Sequence, residues 1–550
     1  MPESRSFRWV YVRRLSQALF LAAFVYLFFR AEYGIQDASA DAVHSWDSVT
    51  LFFRLDPLLT LSVILSEKVL PLLWWLALPV LLSALVFNRA FCGWVCPFGT
   101  LHHLVSAGRT SAARSVRTGR WKWRPSRNIK FVFLFALLAA TLLGFNLVGW
   151  ADPFSFLNRS LAVVVHPVLG HGADLLIAGL DGIGLSGVGD FLNDLLRGRL
   201  IPFQARFFLQ VLPIGLLFAG ALLLNRRETR WWCRHLCPLG ALLGLFSRKA
   251  PLRLHKSPEK CTRCMRCVRH CQGGDQPLPG EAWVPSECHL CGNCTDSCPE
   301  GALAFRFGRP ETAPADRKPL PDLDRRLVLG GLAGGFILAP LSAAGAHLLE
   351  KQDRSYKLTD RLIRPPGALE EKSFQAVCIK CGACMKACPT NALQPASWQA
   401  GIGGLWTPVL VPKIGYCDDR CTLCGQVCPT QAIQRITVEK KLGLPPHREP
   451  VRIGLAHVDR NRCLPWALGT PCLVCEEVCP SPGGRKAIKA VEDEALTPEG
   501  TRVKVLKPVV DPRNCIGCGL CEHKCPVADS SAIVVTCVGE SRSRYNRITH

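Results

Sequence analysis

No Cys-x-x-Cys-His sequence occurs in the 550 residues, which speaks against covalently attached haem. Neither a Walker glycine loop nor a dinucleotide-binding glycine fingerprint is present, so nucleotide or NADH chemistry has no footing on this chain. Acidic residues are scarce beside basic ones, 43 Asp and Glu against 66 Lys and Arg, for a net charge of +23. That excess has no accompanying mark of nucleic-acid binding, and its distribution along the chain accounts for it as a membrane-topology signal. What the chain has in quantity is cysteine, 29 residues, of which 28 fall into eight short ladders. Cys537 stands outside them and reads as a small buried apolar side chain.

Two ladders lie close together, Cys261, Cys264, Cys267, Cys271 and Cys288, Cys291, Cys294, Cys298, each a C-x2-C-x2-C-x3-C run. Such a run places three thiolates on one iron-sulfur cube and sends the fourth to its neighbour, so two runs make a two-cluster ferredoxin. The expected sets are Cys261, Cys264, Cys267 with Cys298, and Cys288, Cys291, Cys294 with Cys271. The second run ends in Cys298-Pro299, whereas the first has Gln272 in place of the proline.

Four more ladders follow: Cys378, Cys381, Cys384, Cys388; Cys417, Cys421, Cys424, Cys428; Cys463, Cys472, Cys475, Cys479; and Cys515, Cys518, Cys521, Cys525. Each closes with Cys-Pro, and the middle two are stretched at the first gap, to three and eight residues. Sixteen thiolates suffice for four more cubes, making six 4Fe-4S clusters in all. Spacing leaves open which of these ladders share a cluster. Structural zinc favours separated C-x2-C pairs, and a disulfide framework has no need of repeated x2-x2-x3 gaps, so both are weaker readings.

Hydropathy says where the clusters are mounted. The chain is 49% apolar with mean hydropathy +0.17. Apolar runs at 15–29, 69–87, 131–150, 207–224 and 327–349 predict four spans plus one connecting span, since a crossing takes about 20 residues. Segment 88–130 carries nine Lys or Arg and no acid, while 30–68 has three bases against six acids and 151–205 three against five. By the positive-inside rule the N-terminus, 88–130 and the chain after the fourth run are cytoplasmic, and the other two loops lie outside. The first ferredoxin module is cytoplasmic on this reading.

Asp324-Arg325-Arg326-Leu327-Val328-Leu329 opens the fifth run, and Ala344-Gly345-Ala346 lies near its end. This is the pattern of a twin-arginine export signal placed in mid-chain, and it suits a domain whose clusters are built in the cytoplasm before it crosses. Residues 351–550 are then expected outside, with cleavage after Ala346 left open. An ordinary fifth span or a buried linker helix is the alternative.

The remaining ladder cysteines form two C-x3-C-P pairs, Cys92 with Cys96 in 91–99 and Cys233 with Cys237 in 232–240. An i, i+4 spacing points both sulfurs of a pair to one face of a helical turn. Two pairs at the same ends of two spans could converge into one four-thiolate site for a metal, a cluster or a redox dithiol, or could pack as apolar filler. The arginines flanking the second pair would favour thiolates.

The apolar runs, the two C-x3-C-P-x-G motifs, the double ladder and the opening Arg13-Arg14-Leu15-Ser16-Gln17 together resemble the NapH-type membrane subunit of quinol dehydrogenases, a family related to NosR-like membrane ferredoxins. From about Asp324 onward the chain resembles the exported NapG/MauM-type ferredoxin, so the two look fused here. The resemblance implies a membrane-bound electron-transfer protein of the bacterial inner membrane. It would oxidise quinol and pass electrons through 4Fe-4S clusters to a periplasmic partner such as a cytochrome c or a reductase, within a membrane complex.

The expected architecture is a membrane α-helical bundle with α+β bacterial-ferredoxin-like modules carrying 4Fe-4S clusters. Residues 1–250 would form the bundle, 251–310 the cytoplasmic two-cluster module, 311–350 the linker with the twin arginines, and 351–550 the periplasmic four-cluster domain. Short helices are expected after Cys-Pro, at 389–393 and 429–433, an extended piece at 503–510, and linkers at 306–324 and 350–374. Asp152 and His166 are candidate proton acceptors for quinol on the outer side, although Asp152 equally suits a helix end. A layer of about 30 Å would separate inner from outer clusters, too far for direct tunnelling. A shuttling quinone, a bridging C-x3-C-P site or a separate role for the inner pair has to fill that gap. Two other function classes stay open: a maturation or metal-reduction factor for a metalloenzyme, and a ferredoxin-fed transmembrane conduit.

Overall fold

The computed structural model describes residues 9–33, 49–67, 75–106, 128–197, 206–273, 277–279, 283–308, 325–350, 361–447, 449–480 and 485–543. Most arginines of the basic 88–130 segment, the linker stretch 309–324, Asp324 and the side chains of Ala344, Gly345 and Ala346 lie outside these described parts. Two compact units result, one made of Met1–Phe29, Ser48–Ser160 and Pro213–Ala339, the other of Arg30–Asp47, Leu161–Leu212 and Pro340–His550.

Apolar runs become helices because a helix satisfies its own backbone groups. Trp9–Tyr33 has 25 residues, but Ala77–Phe87, Ile129–Leu142 and Val211–Leu223 have only 11, 14 and 13. At about 1.5 Å per residue the last three are too short to cross about 30 Å of hydrocarbon alone. Two helices are long and apolar enough by length and composition, Trp9–Arg30 and Pro153–Gly182, and the second falls where the sequence pattern indicates an outer loop. The expected four spans are therefore not reproduced among the described residues. Gly144, at φ 88° inside the third run, follows the end of Ile129–Leu142, and Asn88, at φ 54°, follows Ala77–Phe87 at the end of the second run.

An aromatic core binds the helices of the first unit. Phe52 meets Phe24 and Phe154 at 5.2 and 6.0 Å, and Phe156 stacks on Trp232 at 5.1 Å. An antiparallel pair, Leu252–Lys256 with Leu303–Phe307, closes the two-cluster module over Leu254, Val268 and Leu303. The helix Arg325–Glu350 starts in this unit and packs on Ile129–Leu142 through Gly331 and Gly335. A Cβ at 331 would stand 2.9 Å from the Val132 carbonyl, and one at 335 would collide with that of Ala136, so only glycines permit this approach.

In the second unit His166–Gly182 and Ser186–Leu196 pack on each other, and the C-terminal part builds three two-stranded antiparallel sheets. These join Leu393–Pro395 to Pro408–Leu410, Leu455–Val458 to Ile533–Thr536, and Ile488–Leu496 to Arg502–Val510, the last containing the expected extended piece. The short helices lie before Cys-Pro, not after it: Ala383–Ala387, Leu423–Gln426, Val474–Glu477 and Leu520–Lys524 each carry a third ladder cysteine. Proline bars α conformation at the residue before it, so the helix stops at the cysteine, which is extended at ψ 113° in Cys388 and 124° in Cys525. The stretches 389–393 and 429–433 are turns running into a strand or a bridge.

Of the stretch 350–374 expected as linker, 351–360 lie outside the described residues and 361–374 are folded into the domain, with Ile363, Arg364 and Phe374 buried. Arg364 donates to Glu371 at 2.6 and 3.0 Å, and Arg542 reaches the same carboxylate at 2.9 Å, clamping the start of the domain to its end. Burial alone would raise the Glu371 carboxyl, but Arg364 and then Arg542 hold it down at about 2.

Replacing Gly335 by Leu should push the two helices apart and lower the yield of folded membrane-extracted protein, whereas Gly330→Leu, with open space around it, should not. The Glu371 clamp stabilises fully above the ordinary carboxylate value of about 4.5 and is lost as pH falls toward 2. Thermal unfolding should therefore separate Glu371→Gln from the parent at pH 7 and bring the two together as pH drops below 4.5; a constant gap would contradict the clamp.

Candidate functional site

The fold gathers the ladder cysteines into sets of four. Cys261, Cys264, Cys267 and Cys298 line a cleft of about 350 Å³ with Pro277, Leu278 and Leu303. The Cys294 thiol lies within electrostatic reach of Cys291, Cys271 and Cys288. In the C-terminal domain Cys378, Cys381, Cys384 and Cys428 line a second cleft, of about 340 Å³, and Cys463, Cys472, Cys475 and Cys525 a third. Cys417, Cys421 and Cys424 feel Cys388, and Cys515, Cys518 and Cys521 feel Cys479. The pairing that spacing left open is thus sequential: the first ladder exchanges its last cysteine with the second, and the third with the fourth. These four are the Cys378, Cys417, Cys463 and Cys515 sets.

Burial pushes Cys421 up to about 11 and Cys475 and Cys518 up to about 12, so the bare chain holds these three protonated. The surroundings are nevertheless arranged for thiolate charge. Backbone N–H groups of Ala302, Ile433 and Ala532 donate to Cys298, Cys428 and Cys525 sulfur at 3.3 to 3.5 Å. Lys441, buried, donates to Cys417 sulfur at 3.3 Å and to the Cys421 carbonyl at 2.7 Å. Apolar clefts, four thiols each and N–H donors to sulfur fit 4Fe-4S clusters.

Each C-x3-C-P pair is built on two short helices and not on one turn. Cys92 lies in Ala90–Trp94 and Cys96 caps Pro97–Val105; Cys233 lies in Trp231–His235 and Cys237 caps Pro238–Phe246. Cys96 and Cys237 are extended ahead of their prolines and accept the N–H of Gly99 and Gly240 at 3.4 and 3.3 Å. All four thiols are buried, and Cys237 lies within reach of Cys233, Cys92 and Cys96, so the pairs converge. Two arginines cross between them: Arg230 donates to the Cys92 carbonyl at 2.9 Å and Arg89 to the Cys233 carbonyl at 3.1 Å. Burial outweighs these cations at Cys233 and still raises its thiol, contrary to the expectation that arginines alone would favour thiolates.

The two-cluster module is seated directly on this layer. Arg89 donates its N–H to the Cys288 carbonyl at 3.1 Å, and Arg89 and Lys130 both pair with buried Glu287, at 3.1 and 2.5 Å. Trp94 donates to the Leu290 carbonyl at 3.0 Å, and Arg234 to the carbonyls of Cys271 and Gln272 at 2.8 and 2.9 Å. His289 is buried nearby, and burial followed by Arg89, Arg230, Lys130 and Arg234 keeps its imidazole neutral. Glu287 and His289 escaped the sequence reading, whose one available signal was their position beside Cys288.

Asp152 is fully buried and caps Pro153–Ser160 through the Ser155 N–H at 2.9 Å. Its carboxyl lies within electrostatic reach of that of Asp56, which caps Pro57–Glu67 through the Leu58 and Leu59 N–H at 2.7 and 3.2 Å. Two buried carboxyls so close together disfavour carrying two negative charges at once. No motif pointed to Asp56. His166 is buried immediately after a π-helical turn, Leu161–Val165, that packs against Ala383–Ala387, the helix of Cys384.

Three family profiles, each described as a 4Fe-4S binding domain, match the chain. One covers residues 69–121 and 211–257, around the C-x3-C-P pairs; another covers 281–304, 374–394 and 508–528; the third covers 258–274. The methylamine utilization ferredoxin-type protein MauM of Methylobacillus flagellatus is 30% identical over 40% of this chain and 84% of its own length. Ferredoxin-type protein NapG of Escherichia coli is 34% identical over 36% of this chain and 78% of its own, and ferredoxin-type protein NapH of the same species is 29% identical over 55% and 90%. No solved structure matches.

Lys441→Met should lower the reduction potential of the Cys417 set, because a cation next to its sulfurs favours the added electron. A shift of roughly 60 mV, tenfold in a one-electron equilibrium, is expected in an EPR-monitored redox titration, with the Cys463 set unmoved.

Proposed function

This chain belongs to the ferredoxin-type 4Fe-4S electron-transfer proteins represented by MauM and NapG, and we propose that it takes electrons from membrane quinol and passes them through six clusters to an acceptor outside the cytoplasm. The observation that carries this reading is the grip of segment 206–210 on the first C-terminal ladder. Arg206 donates to the Lys386 carbonyl, Asn391 and Gln394 donate to that of Phe207 at 2.6 and 3.0 Å, and Leu209 donates to Gln394 at 3.1 Å. By charge bias this segment leads out of the loop that lies outside, between the third and fourth apolar runs. A domain that packs on it belongs on the same side, which supports the export reading of Arg325 and Arg326.

When bound, the clusters supply one-electron sites spaced along the protein. The chain's own groups do the rest. The Asp56–Asp152 pair, two buried carboxyls that disfavour a double negative charge, suits a proton-release station for quinol. His166, beside the turn that packs on the Cys384 helix, stands where a quinol would have to meet the domain's first set. The C-x3-C-P thiols and the two-cluster module then form an inner branch, with the crossed arginines offsetting the charge of any iron-sulfur centre held by Cys92, Cys96, Cys233 and Cys237. Seating of the module on that layer also favours a second reading, in which a cytoplasmic ferredoxin feeds electrons outward.

Anaerobic EPR with iron quantification decides between them. The first reading expects iron for about six clusters by ladder count and signals that grow on adding menaquinol or a ubiquinol analogue. Clusters that dithionite reduces and no quinol moves would reject it in favour of the ferredoxin-fed route. Asp152→Asn keeps the helix cap and should slow quinol-driven reduction at least about tenfold while dithionite reduction stays normal; equal quinol rates would remove the pair from the proton path.

A further inference from the structure

Chain order and spatial order disagree among the four C-terminal sets. The Cys378 and Cys417 sets are neighbours, since Cys384 lies within reach of Cys424. Next to the Cys417 set comes the Cys515 set and not the Cys463 set that follows it in sequence. The Cys417 N–H donates to the Cys518 carbonyl at 2.8 Å, and the Cys518 thiol feels Cys417. Around that contact Gly519, left-handed at φ 82°, packs on Pro412, His523 bonds the Pro412 carbonyl at 3.2 Å, and Tyr416 meets the His523 ring at 5.6 Å. The Cys463 set attaches to the far side of the Cys515 set, where Cys521 feels Cys475 and the helices Val474–Glu477 and Leu520–Lys524 pack together.

The two ends of this row differ. At one end the Cys384 helix is held by the 161–165 turn and the 206–210 segment, and three of its four cysteines are buried. At the other end Cys472, Cys475 and Cys525 are half-buried. The eight-residue gap from Cys463 to Cys472 lays a second π turn, Leu464–Leu468, beside that cleft, with Leu468 42% exposed and Thr470 and Pro471 also on the surface. Trp466 fixes this loop by donating to the Pro508 carbonyl at 3.1 Å, with the cations of Arg460 and Lys507 over its ring. A stretched ladder that exposes its loop and its ligands is what an exit point needs, because tunnelling requires the partner's redox centre to come close.

We infer that electrons enter the C-terminal domain at the Cys378 set, run through the Cys417 and Cys515 sets and leave from the Cys463 set, with the 464–472 loop as the docking edge for a one-electron metalloprotein acceptor. Each step moves one electron: a reduced set is oxidised as the next is reduced, no bond forms or breaks, and the two electrons of one quinol pass singly. The direction of flow rests on the quinol reading, whereas the order of the sets does not.

The test uses the full-length protein in detergent. In dithionite-reduced samples, removing the Cys463 set by Cys472→Ser with Cys475→Ser should narrow the spin-coupled signal of the Cys515 set and leave that of the Cys378 set unchanged. Removing the Cys378 set by Cys381→Ser with Cys384→Ser should narrow only the Cys417 set. Direct coupling of the Cys378 and Cys463 sets would overturn the order. With menaquinol, loss of the Cys378 set should leave the other three oxidised, and loss of the Cys463 set should leave the other three reducible; the opposite pair of results would overturn the inlet and outlet. Should menaquinol reduce nothing in the parent while the coupling pattern holds, the quinol reading fails and the order stands. Leu468→Lys with Thr470→Lys keeps every ligand in case the cysteine variants misfold, and adds positive charge that repels a cationic acceptor. It should leave quinol reduction intact and slow electron delivery to a mammalian cytochrome c, used as the probe acceptor, about tenfold. An unchanged rate would place the outlet elsewhere.

Discussion

Exchange of the fourth cysteine is the constraint on which the rest of the structure depends. A ladder that kept all four of its thiols would be a closed bead. By handing its last cysteine to the neighbour, each ladder ties two ligand loops into one body, as Cys298 and Cys428 do in the clefts they complete. The handover has a local cause. Cys-Pro halts the short helix carrying the third cysteine and throws the fourth into an extended conformation pointing away from its own set. The first ladder has Gln272 in place of proline, and there Arg234 performs the anchoring by gripping the carbonyls of Cys271 and Gln272.

Charge sets the second requirement. Thiols buried among apolar residues stay protonated unless iron or cations offset the desolvation cost. The chain supplies cations that are themselves buried: Lys441 at Cys417, Lys380 beside Cys378, and Arg89 and Arg230 crossing between the C-x3-C-P pairs. Glu287 in turn neutralises Arg89 and Lys130, so the seat of the two-cluster module is a compensated polar layer instead of an apolar one. Small cores accompany this arrangement. Among its described residues the first module buries a small apolar cluster beside the ligands, Leu254, Val268 and Leu303, with Val284 and Ala302 also buried, and metal binding has to supply much of its folding free energy.

Some features were legible because they are local. The x2-x2-x3 gaps identify ligand loops, Cys-Pro marks where helices stop, and twin arginines ahead of an uncharged run mark a helix, found as Arg325–Glu350. Others were not, because they join residues far apart in the chain. Helix lengths escaped hydropathy: Gly144 stands inside an apolar run just past the end of Ile129–Leu142 without lowering the apolar count much. Asp56 faces Asp152 across 96 positions of sequence and belongs to no motif. Residues 361–374 look like a linker by composition and are drawn into the domain by one buried guanidinium, Arg364.

By itself the sequence determined the chemistry: thiol ladders of that spacing are iron-sulfur ligand loops, since ligand geometry is dictated over a dozen residues. Only the tertiary structure decided the wiring. Which set lies beside which depends on long-range packing, such as the Cys417 N–H meeting the Cys518 carbonyl and Ile533–Thr536 pairing with Leu455–Val458. Those contacts put the last ladder between the second and the third, an order that no spacing rule encodes because a spacing rule sees only neighbours along the chain.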